Sequence, residues 1–248
     1  MSLTETVGAA CVAALVAVLL VGASRAQPAE DSAARLNALE AELGSLEHEI
    51  TLLEDAKAIK RLQRAYGYYV DKKLSGEIAA LFADDPGTTA EIGGSGVYVG
   101  KARIGEFYDR IMGGEGLKPG QLYNHMILQG VVHVADDGRT AKGRWRALIE
   151  IGEHGKSATW AEGPYENEYI KENGVWKFSK VHWYQTVSAP YSPGWHKAPE
   201  PMNPPLADFP PDRPPSEVYK SYPSAYQVPY HYKNPVSGRC EPGVCNAR

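Results

Sequence analysis

Leu36, Leu39, Leu43, Leu46, Ile50 and Leu53 recur at spacings of 3, 4, 3, 4 and 3. That alternation is the period of a coiled-coil seam, and Glu, Arg and His flank it. The spacing predicts a helix over residues 27–54 that associates with copies of itself, as a homodimer or homotrimer. A single long helix lying on its own domain is the alternative. After Leu53 the next seam positions are Lys57 and Lys60, and a new apolar stripe starts at Ile59, Leu62, Tyr66 and Tyr69. This break predicts a boundary near residue 55 and a second helix over 56–72.

Further along, residues 75–82 read as a short helix ended by Asp84-Asp85-Pro86-Gly87. Short strands follow around 88–92 and 97–99. A helix over 101–112 shows Ile104, Phe107, Tyr108 and Ile111 on one face. Past a Gly-rich loop, four strands are predicted at 123–134, 140–152, 157–171 and 175–187. Their connections hold Asp136-Asp137-Gly138, His154-Gly155-Lys156 and Glu172-Asn173-Gly174, residues that tolerate the positive φ of tight hairpins. Helices followed by a long antiparallel meander predict an α+β fold with a curved sheet wrapped on the helices. The expected organisation is a leader (1–26), a coiled-coil helix (27–54), a globular domain (55–187) and an extension (188–248).

The two ends differ from the middle. Val7 to Ala23 is uncharged and apolar, and Ser24-Arg25-Ala26 follows with small residues where a signal peptidase reads. A cleaved leader predicts a periplasmic or secreted protein with no membrane association afterwards. Met1–Thr6 lacks Lys and Arg and carries Glu5, so an uncleaved anchor stays open. The final 61 residues hold 14 of the 18 prolines and eight aromatics. Proline disfavours helix and central strand, while plain disorder is aromatic-poor. The extension is therefore expected to drape over the domain or a partner subunit. Cys240 and Cys245 bracket a Pro-Gly turn, a spacing suited to a disulfide in an exported chain. With 43% apolar and 23% charged residues, the composition is that of an ordinary globular protein. The net charge of −4 with no Lys/Arg run argues against nucleic acid as a partner.

Several local patterns resemble the NTF2-like superfamily in its SnoaL-like, scytalone-dehydratase-like branch. They are Arg64-Ala-Tyr66-Gly-Tyr68-Tyr69-Val-Asp71 with Leu81-Phe82-Ala83-Asp84-Asp85, Gly100 to Phe107, and Tyr123-Asn124-His125. Gly163-Pro-Tyr165-Glu-Asn167-Glu-Tyr169 with Asn173-Gly-Val-Trp176-Lys-Phe178 completes the match, which covers about 56–187. The family often has Asp where Asn167 stands. The resemblance implies an NTF2-like cone of curved antiparallel sheet on three helices with an internal apolar pocket. The superfamily hosts dehydratases, isomerases, cyclases and non-catalytic binding modules, and γ-formaldehyde lyases of lignin-derived diarylpropanes look similar too. It implies Asp71 and His125 as a catalytic dyad, in which a carboxylate on one imidazole nitrogen raises the basicity of the other.

Other candidates follow from position. Arg64 and Asp71 are seven residues apart and so can face one cavity, with Tyr68 three before Asp71. Tyr66 stands where related enzymes often have a pocket tyrosine, able to donate to a leaving hydroxide or hold a phenolate. Tyr66 and Tyr69 equally suit the apolar stripe, and Asp71 and His125 equally suit a helix cap and a core histidine. Tyr165, Asn167 and Tyr169 share one strand face by period two, as do Trp176, Phe178, Lys180 and His182. The first three, with Tyr68, Tyr69 and His182, form the candidate substrate-binding set. Arg144 and Arg146 share a face expected to lie outside the cavity. No nucleophile elbow, phosphate loop, dinucleotide fingerprint or paired-His motif is present. The reading is a lyase that needs no cofactor or metal and acts on a small aromatic hydroxylated molecule. A diarylpropane γ-formaldehyde lyase is its specific form. A dehydratase or isomerase of a polyketide- or steroid-like substrate and an inert exported binding module are the alternatives.

Overall fold

The computed structural model describes residues 29–114 and 116–246; the expected leader, 1–26, lies outside them. Two expected helices are one. Helix α1 runs unbroken over Ala29–Asp71. The seam does change face near residue 55, but Glu54 to Ala58 contains no Pro or Gly to interrupt the backbone. Contacts divide the chain between Ile50 and Thr51. In the first unit, Leu36, Leu39, Leu43, Leu46 and Ile50 are all about half exposed. In the second, Ile59, Gln63, Tyr66 and Val70 of α1 are buried.

The second unit also contains α2 (Ser75–Ala80) and α3 (Lys101–Met112), which follow the expected positions. Seven strands form one curved, unclosed sheet: β1 (Thr89–Ile92), β2 (Val97–Val99), β3 (Gln121–Val134), β4 (Thr140–Glu153), β5 (Ser157–Glu172), β6 (Val175–Trp183) and β7 (Val187–Pro190). The order is β2-β1-β6-β5-β4-β3, with β7 on β5. All pairs are antiparallel except β1 with β6. This is the α+β cone that the sequence predicts.

Two departures from strict alternation shape it. The last predicted strand ends at Trp183 rather than residue 187, and the chain steps over to form β7. Gly163 marks the step: a Cβ there would lie 1.8 Å from the Tyr184 carbonyl oxygen. β5 thus pairs with β7 before Gly163 and with β6 after Pro164. Secondly, the β5–β6 register shifts at Glu168/Tyr169. Trp176 and Phe178 enter the core, and beyond the shift it is Val181 and Trp183 that do so. Lys180 and His182 therefore leave the face assigned to them by period two.

The extension packs on its own domain. Phe209 stacks 5.5 Å from Tyr98, which donates a hydrogen bond to the Phe209 carbonyl at 2.8 Å. Arg103 and Arg110 lie over the same ring at 4.3 and 4.7 Å. Tyr230 covers Arg144 on the outer sheet face at 4.1 Å, and Arg144 pairs with Glu166. Arg146 pairs with Glu162. Cys240 and Cys245 are disulfide-bonded.

Candidate active site

A cavity of about 250 Å³ lies inside the cone. One wall is a row of registered neighbours across the sheet: His125 pairs with Ile149, Ile149 with Ala161, and Ala161 with Ser188. A second row, Tyr123, Ile151 and Thr159, runs beside it. Tyr66 and Val70 of α1, Tyr108, Ile111 and Met112 of α3, and Trp183 of β6 complete the enclosure, with Gln185, Glu200 and Asn203 at the far side. A mostly apolar wall with few convergent polar groups is the usual make-up of a small-molecule site.

Those polar groups are connected at one end. The Tyr66 hydroxyl lies 3.0 Å from that of Tyr108 and 3.1 Å from that of Tyr165, and the Tyr165 hydroxyl lies 3.0 Å from His125 Nε2. Four buried groups thus form one unbroken chain. Burial drives their protonation states. It pushes the His125 pKa down to about 4, so the ring is neutral at neutral pH. It raises Tyr66, against the lowering effect of the Tyr108 and Tyr165 hydrogen bonds, and carries Tyr108 and Tyr165 well above the ordinary phenol value. Tyr123 is pushed up to about 12. The arrangement is a neutral base linked to neutral proton donors in a water-poor site.

Sequence position brings together only part of the candidate set. Tyr66, His125 and Tyr165 meet in the cavity. Asp71 does not pair with the imidazole. Its Oδ1 accepts the backbone N–H of His125 at 2.5 Å, so it anchors the strand, and Tyr165 takes the ring nitrogen. Burial raises the Asp71 pKa, against the lowering effects of that hydrogen bond and Lys72. The helix reaches β3 this closely because residue 67 is glycine: a Cβ there would lie 2.9 Å from Ile127 Cγ1 and 3.1 Å from the His125 carbonyl. Arg64 and Tyr68 lie with Asp71 in an outer groove, and Tyr68 is 72% exposed. Tyr69 packs against the core.

Asn167 and Tyr169 are internal struts. Asn167 Nδ2 and the Tyr169 hydroxyl both donate to Gln63 Oε1 at 2.9 Å, and Trp145 Nε1 donates to Tyr169 at 2.8 Å. His182 is buried outside the cavity, stacked 3.8 Å from Tyr184 and held to about 3 by burial and by Lys180. Sequence reasoning assigned no site role to Tyr108 and Tyr123, because a tyrosine on an apolar face looks like core. It also gave none to Gln185, Ser188, Glu200 and Asn203, whose approach depends on the fold of the extension. Among the described residues, no group of three or more His, Cys, Asp or Glu could hold a metal ion.

Comparison with known proteins supports this architecture. A hexachlorocyclohexane dehydrochlorinase (LinA) type 2 structure is similar at 25% identity and a TM-score of 0.50, covering 61% of this chain and 97% of its own. A protein from Novosphingobium aromaticivorans DSM 12444 assigned as a scytalone dehydratase is similar at 20% identity and 0.50, covering 64% and 97%. The LinA-type3 dehydrochlorinase of Novosphingobium barchaimii LL02 is similar at 22% identity and 0.50, covering 61% and 99%. At 20% and 22% identity the last two show the fold alone. No curated protein sequence matches the chain significantly. The SnoaL-like domain is matched over residues 51–182, more than half of the sequence, and the chain belongs to this SnoaL-like family of the NTF2-like superfamily.

Proposed function

We propose that the chain is a lyase, working without a cofactor, that forms a carbon–carbon double bond in a small hydroxylated aromatic molecule. The observation that carries this reading is the hydrogen-bonded chain His125–Tyr165–Tyr66–Tyr108 along an apolar cavity. Elimination needs a base for the proton and an acid for the leaving group, both in reach of one molecule. His125, neutral through burial, accepts a proton through the Tyr165 hydroxyl, which passes its own to Nε2 and takes the substrate's. The proton returns along Tyr165 and Tyr66 to the departing hydroxide, which leaves as water. Protein groups end as they began. Substrate has lost one water and gained one double bond. The similarity to a dehydrochlorinase, a protein named for another elimination, favours the same class here.

In the specific form, a diarylpropane-1,3-diol gives up its hydroxymethyl proton to the same relay. The bond to that carbon breaks, formaldehyde leaves, hydroxide departs from the adjacent benzylic carbon as water, and a stilbene remains. The row of lining residues that runs from His125 across the sheet to Ser188, with Glu200 and Asn203 of the extension beside it, favours a two-ring substrate. The test is a product assay with purified protein and no added cofactor, on diarylpropane diols together with dehydratase and isomerase substrates. Formaldehyde and stilbene in equal amounts support the specific form. Water loss alone supports plain dehydration. Saturable binding without product from any compound overturns the lyase reading.

A further inference from the structure

The cavity has a second polar end, and its chemistry is different. His125 and Ser188 terminate the same row of registered residues, three inter-strand spacings apart. At about 4.8 Å per spacing they are roughly 14 Å apart along the sheet. No phenol relay reaches Ser188. Instead the extension returns and places Glu200 against it. The Glu200 backbone N–H donates to the Ser188 carbonyl at 2.7 Å, and Ser188 Oγ donates to Glu200 Oε2 at 2.8 Å. Gln185, beside them in the wall, is buried.

These two bonds fix the carboxylate and use one of its oxygens. Glu200 Oε1 accepts no hydrogen bond from the described residues and is not sealed from solvent: Glu200 is partly exposed, and the wall it shares holds Gln185 and Asn203 as well as Ala161, Ile92 and Trp183. A carboxylate oxygen held in place by Ser188 selects a hydrogen-bond donor and rejects an anion, because two like charges set against each other repel. One open oxygen matches one O–H. We propose that Glu200 reads a hydroxyl on the far ring of the substrate, so that the preferred ligand is a neutral, elongated aromatic molecule with a phenolic hydroxyl at the end remote from His125. The lyase reading defines which end reacts; recognition at Glu200 does not depend on turnover.

The test is calorimetric binding of 4-hydroxystilbene, 4-methoxystilbene, stilbene-4-carboxylate and 4-(aminomethyl)stilbene to the full chain and to Glu200→Gln and Glu200→Ala. A charge-assisted hydrogen bond predicts that the wild type prefers the phenol over its methyl ether by roughly ten- to a hundredfold and rejects the carboxylate. Glu200→Ala should bring that ratio close to one. Glu200→Gln keeps an acceptor for Ser188 and should admit the carboxylate. A role confined to pinning the extension would weaken all four probes together and leave the ratio intact, which overturns the proposal. So does an unchanged ratio in Glu200→Ala, tighter binding of the ammonium probe than of the phenol, or no binding of any probe by the wild type. Product assays of the same proteins on the diarylpropane diol and the dehydratase and isomerase substrates separate the two readings. Phenol preference without product sinks the lyase and supports the recognition; product with an unchanged ratio does the reverse.

Discussion

Replacing Tyr165 by Phe removes one oxygen atom and breaks the relay at its centre. Two hydrogen bonds disappear, at 3.1 Å to Tyr66 and 3.0 Å to His125 Nε2. Tyr66 keeps its bond to Tyr108, but the ring nitrogen of a buried His125 loses its partner. Leaving a buried polar atom unpaired costs about 1–3 kcal/mol. For a domain of this size the melting temperature should fall by roughly 3–10 °C. Turnover should fall far more, by about 10²- to 10⁴-fold, since proton transfer by a positioned group is lost. Tyr169→Phe is the matched control. It also deletes a buried hydroxyl with two partners, Trp145 Nε1 and Gln63 Oε1, but outside the cavity. It should lose comparable stability and retain kcat. Calorimetric melting and kcat/KM on one confirmed substrate read both effects. A folded Tyr165→Phe enzyme within about fivefold of wild type would refute the relay. So would Tyr169→Phe losing as much turnover.

Burial holds His125 at about 4, while the unfolded chain takes up that proton near 6.5. Stability is therefore complete above about pH 6.5 and declines as pH falls toward 4, by about 3 kcal/mol, a loss read by urea denaturation at pH 7 and pH 4.5. His182, held to about 3, acts in the same direction. The acid limb of kcat/KM should lie well below 6.5. Asp71→Asn retains an acceptor for the His125 backbone N–H and should cost less than about tenfold in kcat; a ring-bound dyad would lose 10²-fold or more. Phe209→Ala removes the ring between Tyr98 and two arginines, and should destabilise by about 3–5 kcal/mol and raise KM, as urea titration and steady-state kinetics would report. Self-association through the leucine seam predicts that Leu43→Ser with Ile50→Ser lowers the mass seen in sedimentation equilibrium and leaves the pocket's ligand affinity unchanged.

The cone was readable because each of its signals is local. Asp-Asp-Gly and Glu-Asn-Gly turns flank runs of alternating burial, and Ile104, Phe107 and Tyr108 repeat at helical spacing. Motif position pointed to His125 and Tyr66, and strand face to Tyr165, as side chains that share one cavity, which is where they lie. What failed did so for long-range reasons. A single register shift at Glu168/Tyr169 moved His182 out of the face that period two assigned. The Asp71 role turned on the close approach allowed by Gly67, which brings the carboxylate to a backbone N–H and leaves the ring to Tyr165. The continuity of α1 was hidden because a change of apolar face resembles a break. Glu200 reaches the cavity only because a proline-rich segment returns to β7, and neither propensity nor periodicity describes such a path.

The most direct measurement mixes the wild type and His125→Ala, each with a diarylpropane diol and no cofactor, and follows formaldehyde and stilbene absorbance together. The account predicts one formaldehyde per stilbene from the wild type and a loss of at least about 10²-fold in His125→Ala that still binds the diol. Equal rates from the two proteins, or binding without any product in the wild type across the wider substrate panel, would contradict it.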